Sequence, residues 1–306
     1  MGCERGGSDF RGTGIAGVVL FTTLFAIALL GSIRSFTEKD QARTGWFSKK
    51  NYFIAVTLMA FLDLFRYYMM AIDDAYKCSA KTWVYGLHMF SNVAFFFSYS
   101  VICSIWQDTV GANASMFFFR KSFLLLMNCL FMVITIIGFG FCVSSDTIFE
   151  FFNNNYYTFY TIFSAVKNLV FYAAIFWSGN EIMRPLRNVQ DLAERSDETE
   201  EEGCRKGRFR AIMRKLQAIL CVVFLSAVLR VIMLIIKFAI LHGGAHVSWY
   251  TGPIWWLLSD FIPRLLPTYA FMFIMFGSVL RANRSSKLQQ HGVSDKDDKE
   301  ISGRNS

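Results

Sequence analysis

The chain has 306 residues, of which the apolar set AVILMFWYC makes up 54% and the charged set DEKR only 18%. Soluble domains run at about 25% charged. This balance excludes a disordered chain, a secreted disulfide scaffold and a soluble two-domain enzyme. It leaves a membrane protein whose net charge of +8 must sit outside the lipid.

A hydrocarbon core of about 30 Å is crossed by about 20 apolar helical residues. Seven stretches qualify, at about 14–34, 51–72, 82–106, 122–143, 157–180, 216–240 and 252–277. The runs are continuous and not alternating, so they read as helices and not as barrel strands. The expected fold is all-α: a polytopic seven-transmembrane helix bundle over 14–280. A short extramembrane segment (1–13) precedes it and a polar, disordered tail (281–306) follows.

Seven spans place the two ends of the chain on opposite sides. Of the 31 Lys and Arg, 22 fall on the connections after spans one, three and five and on the tail, and 4 fall on the opposite side. The excess of positive charge marks the cytosolic face. It predicts an N-terminus outside or lumenal, an uncleaved first span and a cytosolic C-terminus. Trp46, Trp106 and Trp177 then fall near the cytosolic interface, and Trp83 and Trp249 near the other. Cys78 and Cys142 fall at outer helix ends, where a disulfide is chemically permitted.

Charges inside spans are expensive and are candidates for function. Asp63 and Arg66 are three apart in span two, and Asp260 and Arg264 four apart in span seven, so each pair shares a helical face. Arg230 and Lys167 have no local carboxylate. We expect Asp63, Arg66, Arg230, Asp260 and Arg264 to form one polar network of net charge +1, either locking the bundle or holding an anionic head group. On that reading Arg230→Ala costs the most, because it leaves a carboxylate unpaired. Pro263 and Pro267 inside span seven predict a kink.

The fifth connection opens at Met183-Arg184-Pro185, where Pro is expected to end the helix. An acidic run, AERSDETEEE, follows. Arg205, Lys206, Arg208, Arg210, Arg214 and Lys215 then lead into span six. Such a juxtamembrane cluster suits anionic lipid or a cytosolic partner.

No cofactor is expected. Span-borne His pairs for haem, a Lys in span seven for retinal and a nucleotide loop are all missing, and nothing points to nucleic acid. One enzyme reading survives in outline, an outer-face zinc hydrolase using His88, His242 and His246. The two Gly inside His242-Gly-Gly-Ala-His246 work against it. The chain is read as not an enzyme.

Several short features, taken in order, resemble the tobamovirus multiplication protein family. They are Gly45-Trp46 before span two, Arg66, FSYSVICSIW ending at Trp106, Leu229-Arg230, and Asp260-Phe-Ile-Pro263. The resemblance covers roughly 15–280. It implies a GPCR-like seven-helix protein of vacuolar, lysosomal or late endosomal membranes, the plasma membrane being the other location considered. It also implies a scaffold that recruits cytosolic proteins, small GTPases among the candidates. The alternative is a ligand-sensing receptor coupled to G proteins.

Overall fold

A computed structural model describes residues 7–37, 48–72, 82–110, 121–145, 151, 154–195, 200–242 and 253–275. They form α1 (Gly7–Thr37), α2 (Lys49–Ile72), α3 (Thr82–Val110), α4 (Lys121–Ser144), α5 (Asn155–Arg195), α6 (Glu200–His242) and α7 (253–275). No strand occurs among the described residues. Each helix holds one segment long and apolar enough to cross a membrane, from Arg11–Phe36 in α1 to Ile254–Met275 in α7. All seven fall within a few residues of the expected spans. α1 begins at Gly7, inside the segment expected to precede the bundle.

Two helices start at side-chain caps of the kind their sequences announce. Ser48 Oγ accepts from the Asn51 backbone N–H at 3.4 Å, and Asn154 Oδ1 from that of Tyr156 at 2.8 Å. Each satisfies an amide that the first helical turn leaves without a partner.

Neighbours in sequence pack as neighbours in space: α1 on α2, α2 on α3, α3 on both α4 and α5, and α5 on α6. α3 is the central helix, with 83% of its apolar window buried against 33% for α1 and α4. The outer helices turn Val19, Leu30, Leu126, Leu225 and Ile235 outward, all more than half exposed, as a lipid-facing surface requires. α1 and α2 meet at Gly14, where a Cβ would stand 2.6 Å from the Ala71 nitrogen. Only glycine permits that approach of two backbones, a common device between helices in lipid.

α7 is not regular. Leu257–Phe261 form a π-helical turn in which the Ile262 backbone N–H donates to the Leu257 carbonyl, five residues back. Pro263 follows at once. It has no N–H, and its ring crowds the carbonyl four residues earlier, so a widened turn relieves the strain. The expected kink therefore takes the form of a π turn, and Asp260 sits within it.

Pro185 does not end α5, contrary to the sequence expectation: the helix continues to Arg195. Pro185 lies beyond the apolar segment Asn155–Glu181, where water can satisfy the freed carbonyl. An Arg184–Glu181 ion pair of 2.7 Å spans the turn before it. α5 is 41 residues long and α6 is 43, about 60 Å each. Only Asn155–Glu181 and Met213–Ile236 are membrane segments. The remainder of each runs on as helix for about 20 Å.

Candidate functional site

The buried charges of α2, α6 and α7 lie 6 to 10 residues inside the ends of their apolar segments, about 9–15 Å deep. Asp63 is fully buried, as is Arg264; Arg66 and Asp260 are nearly so. The pairs seen in sequence exchange partners in space. Arg66 of α2 donates to Asp260 Oδ2 of α7, and Arg264 of α7 lies 2.8 Å from Asp63 Oδ2 of α2. The contacts along each helix persist but are longer: 3.8 Å for Arg66–Asp63 and 3.2 Å for Arg264–Asp260. Two carboxylates and two guanidiniums thus form a crossed square that ties α2 to α7 with no formal net charge.

Neutral groups complete the square. Ser91 of α3 donates to Asp63 Oδ2 at 2.5 Å and accepts from Arg264. The Tyr67 hydroxyl donates to Asp260. The Arg66 guanidinium lies over the rings of Tyr67 and Trp256, 4.3 Å and 5.4 Å from their centroids. The π turn contributes directly, because it carries Asp260 toward Arg66. A buried ion pair holds only where its remaining lone pairs and protons are met, and here most are.

Arg230 does not join this square, which corrects the five-residue network expected from sequence. Its Nη2 donates to Asn92 Oδ1 of α3 at 2.9 Å, and it meets no carboxylate among the described residues. Arg230→Ala would therefore strip no carboxylate of its partner. Arg230 belongs instead with Lys167 of α5. Lys167 Nζ lies 3.4 Å from the Phe96 ring centroid and 2.7 Å from that of Phe131. Arg230 Cζ lies 5.4 Å from the same Phe96 centroid and 5.1 Å from that of Phe95. Lys167 is fully buried and Arg230 is 7% exposed.

This second cluster is poorly satisfied. Lys167 Nζ, Arg230 Nη1, both amide atoms of Asn168 and the hydroxyls of Tyr99 and Tyr172 have no hydrogen-bond partner of normal geometry among the described residues, and the Tyr160 hydroxyl faces Asn92 and Thr135 without closing one. Tyr99 and Tyr172 face one another and Arg230 without closing a bond of normal geometry. The Lys167 amine and the Arg230 guanidinium face each other here, and no carboxylate among the described residues stands with them.

His88 and Asn92 of α3 connect the clusters. His88 Nδ1 is 3.3 Å from Arg264 Nη1, and His88 Nε2 is 3.2 Å from Asn92 Nδ2. His88 Nδ1 also faces the Asp63 Oδ1 carboxylate oxygen at 3.9 Å, so the neutral ring can turn its N–H toward that carboxylate and accept from Asn92 at Nε2. Phe95 stands between the clusters, 5.1 Å from Arg230 and 5.5 Å from Arg264.

Sequence reasoning missed His88, Ser91 and Asn92 as network members, and Tyr67 with them. Their signal was present: His88, Ser91 and Asn92 stand at i, i+3 and i+4, a polar stripe on one face of the helix.

The other expected sites are placed only in part. Cys142 is buried with its thiol at the Gly86 backbone, while Cys78 lies outside the described residues. Arg214 and Lys215 are exposed, whereas the side chains of Arg205, Lys206, Arg208 and Arg210 lie outside the described residues. So do those of His242 and His246. His88, the third member of the zinc reading, is taken up by Arg264 and Asn92. Trp106, expected at the interface, is buried against Phe271. Trp46 and Trp249 lie outside the described residues.

Seven helices long and apolar enough to span a bilayer, tied by charges buried at membrane depth, define the class: a seven-helix, multi-pass membrane protein. Comparison with known proteins finds no family model that matches the chain and no curated protein that matches it.

Proposed function

We propose that this protein is a receptor-like membrane platform of the vacuolar, lysosomal or late endosomal system, recruiting cytosolic proteins to its membrane. The observation that carries the reading is the helical extension of both α5 and α6 past their apolar segments. A bundle that only had to cross the bilayer would need neither extension. Each runs about 20 Å past its apolar segment. The sequence concentrates charge there, with the acidic run 193–202 leading into α6 and six basic residues, Arg205 to Lys215, following it on the same helix. Two charged helical extensions offer a docking surface, and the basic residues at the root of the second add attraction to anionic lipid, about 1 kcal/mol per residue near the surface. The positive-charge excess assigns it to the cytosol. The resemblance to the tobamovirus multiplication proteins supports the endomembrane location and the recruiting role.

The test replaces residues 186–211 with a short flexible linker and compares proximity labelling from the C-terminus with that of the full chain. Small GTPases or trafficking proteins should be labelled by the full chain and lost from the variant, with the melting temperature kept. An unchanged set of labelled proteins would contradict the reading.

A second reading, a ligand-sensing receptor coupled to heterotrimeric G proteins, is favoured by the unneutralised Lys167–Arg230 cluster. The same labelling separates the two, since heterotrimeric G proteins among the labelled set would favour the receptor.

A further inference from the structure

We propose that Lys167 and Arg230, ringed by the hydroxyls of Tyr99, Tyr160 and Tyr172, form an intramembrane site for the oxyanion head of an amphiphile, a carboxylate or phosphate borne on an apolar tail. The site depends on neither choice of cytosolic partner.

Four observations lead there. The first is charge. Two cations are buried together, and no carboxylate meets either among the described residues. A buried charge is ordinarily paired, bound to an ion or given up; a guanidinium cannot give its charge up, and an anion beside it favours the charged form of Lys167 as well. The Phe96 and Phe131 faces ease the position of Lys167 but supply no counter-charge. The second is the donor surplus. An ammonium has three donors and a guanidinium five, and neither accepts. Arg230 uses one nitrogen on Asn92, and its Nη1 and the Lys167 Nζ have no partner among the described residues. An oxyanion supplies the acceptors that these groups and the three tyrosine hydroxyls lack.

The third observation is the contrast with the neighbouring square, where the same lipid depth holds an equal number of carboxylates and guanidiniums. The bundle can neutralise its buried charges, and at this second place it does not. The fourth is the surroundings. The cations lie 6 and 12 residues inside their apolar segments, between aromatic walls. Val166, Leu169 and Val228 stand beside them in sequence and face outward to lipid. A ligand arriving through the membrane brings its own apolar body. A free inorganic anion would have to shed its water without that compensation.

The experiment uses the purified full chain in an uncharged detergent and measures saturable binding of labelled oleate. Competitors are unlabelled oleate, methyl oleate and inorganic phosphate. The variants are Lys167→Met and Arg230→Gln, and melting temperature is the fold control. We expect one saturable site, competed by oleate but not by its uncharged ester or by phosphate. Each variant should bind about tenfold or more weakly, as loss of one partner of a buried charge pair does. Lys167→Met should also melt at or above the wild-type temperature, and Arg230→Gln, which gives up the Asn92 bond, only modestly below it. Competition by inorganic phosphate at the concentrations where oleate acts would mean a free-ion site and overturn the amphiphile. Equal competition by methyl oleate, absence of saturation, or unchanged affinity in both folded variants would overturn the site. If a variant does not fold, the wild-type contrast between oleate and methyl oleate decides alone.

Discussion

The bundle holds two charge clusters at similar depth, and they are built on opposite principles. The α2–α7 square is closed: two carboxylates, two guanidiniums, and Ser91 and Tyr67 filling vacant hydrogen-bond positions. The α3–α5–α6 cluster is open, with two cations, aromatic faces and hydroxyls that bond to nothing described. The contrast teaches that a buried charge does not announce its role by being buried. What separates a lock from a site is whether the surrounding protein completes the charge. The closed square holds helices together and leaves little to offer a ligand. The open cluster contributes little to holding helices and leaves its donors available.

The comparison can be broken at its strongest point first. Arg264→Gln removes the cation shared by Asp63 and Asp260, and should cost about 3–5 kcal/mol, read by unfolding in detergent. A loss under about 1 kcal/mol would mean that the square is not a lock. Next comes Tyr67→Phe. It deletes one donor to a charged acceptor and should cost about 1.5–3 kcal/mol by the same measurement. Asn92→Ala takes away the acceptor of Arg230 Nη2 and should cost about 1–2 kcal/mol. Lys167→Met carries the smallest effect. Replacing an uncompensated buried cation by an apolar side chain of similar length should be neutral or stabilising. A melting temperature well below wild type would show that Lys167 has an anionic partner after all.

The spans were readable because bilayer thickness fixes the length of an apolar helix, and this chain keeps each run nearly free of charge. Asp63, Arg66, Asp260 and Arg264 stood out for the same reason. Their partners did not. Spacing of three or four shows which residues share a helical face, but not which face of which helix it meets. The exchange of partners between α2 and α7 follows from helix packing and from the π turn that carries Asp260. Pro263 signalled a disturbance there, though not its form. Arg230 was misplaced because charge arithmetic has no geometry. Adding it to the square made a network of net +1, whereas in space it turns to Asn92 and Phe95 and shares Phe96 with Lys167. The unbroken helix through Pro185 shows the other limit: a proline's cost depends on whether water can reach the carbonyl it frees.

The difference between the clusters is tested most directly by melting Arg264→Gln and Lys167→Met side by side with wild type, in one uncharged detergent without added anion. The closed-and-open account predicts a large fall for Arg264→Gln and an equal or higher melting temperature for Lys167→Met. Equal falls for both, or a larger fall for Lys167→Met, would contradict it.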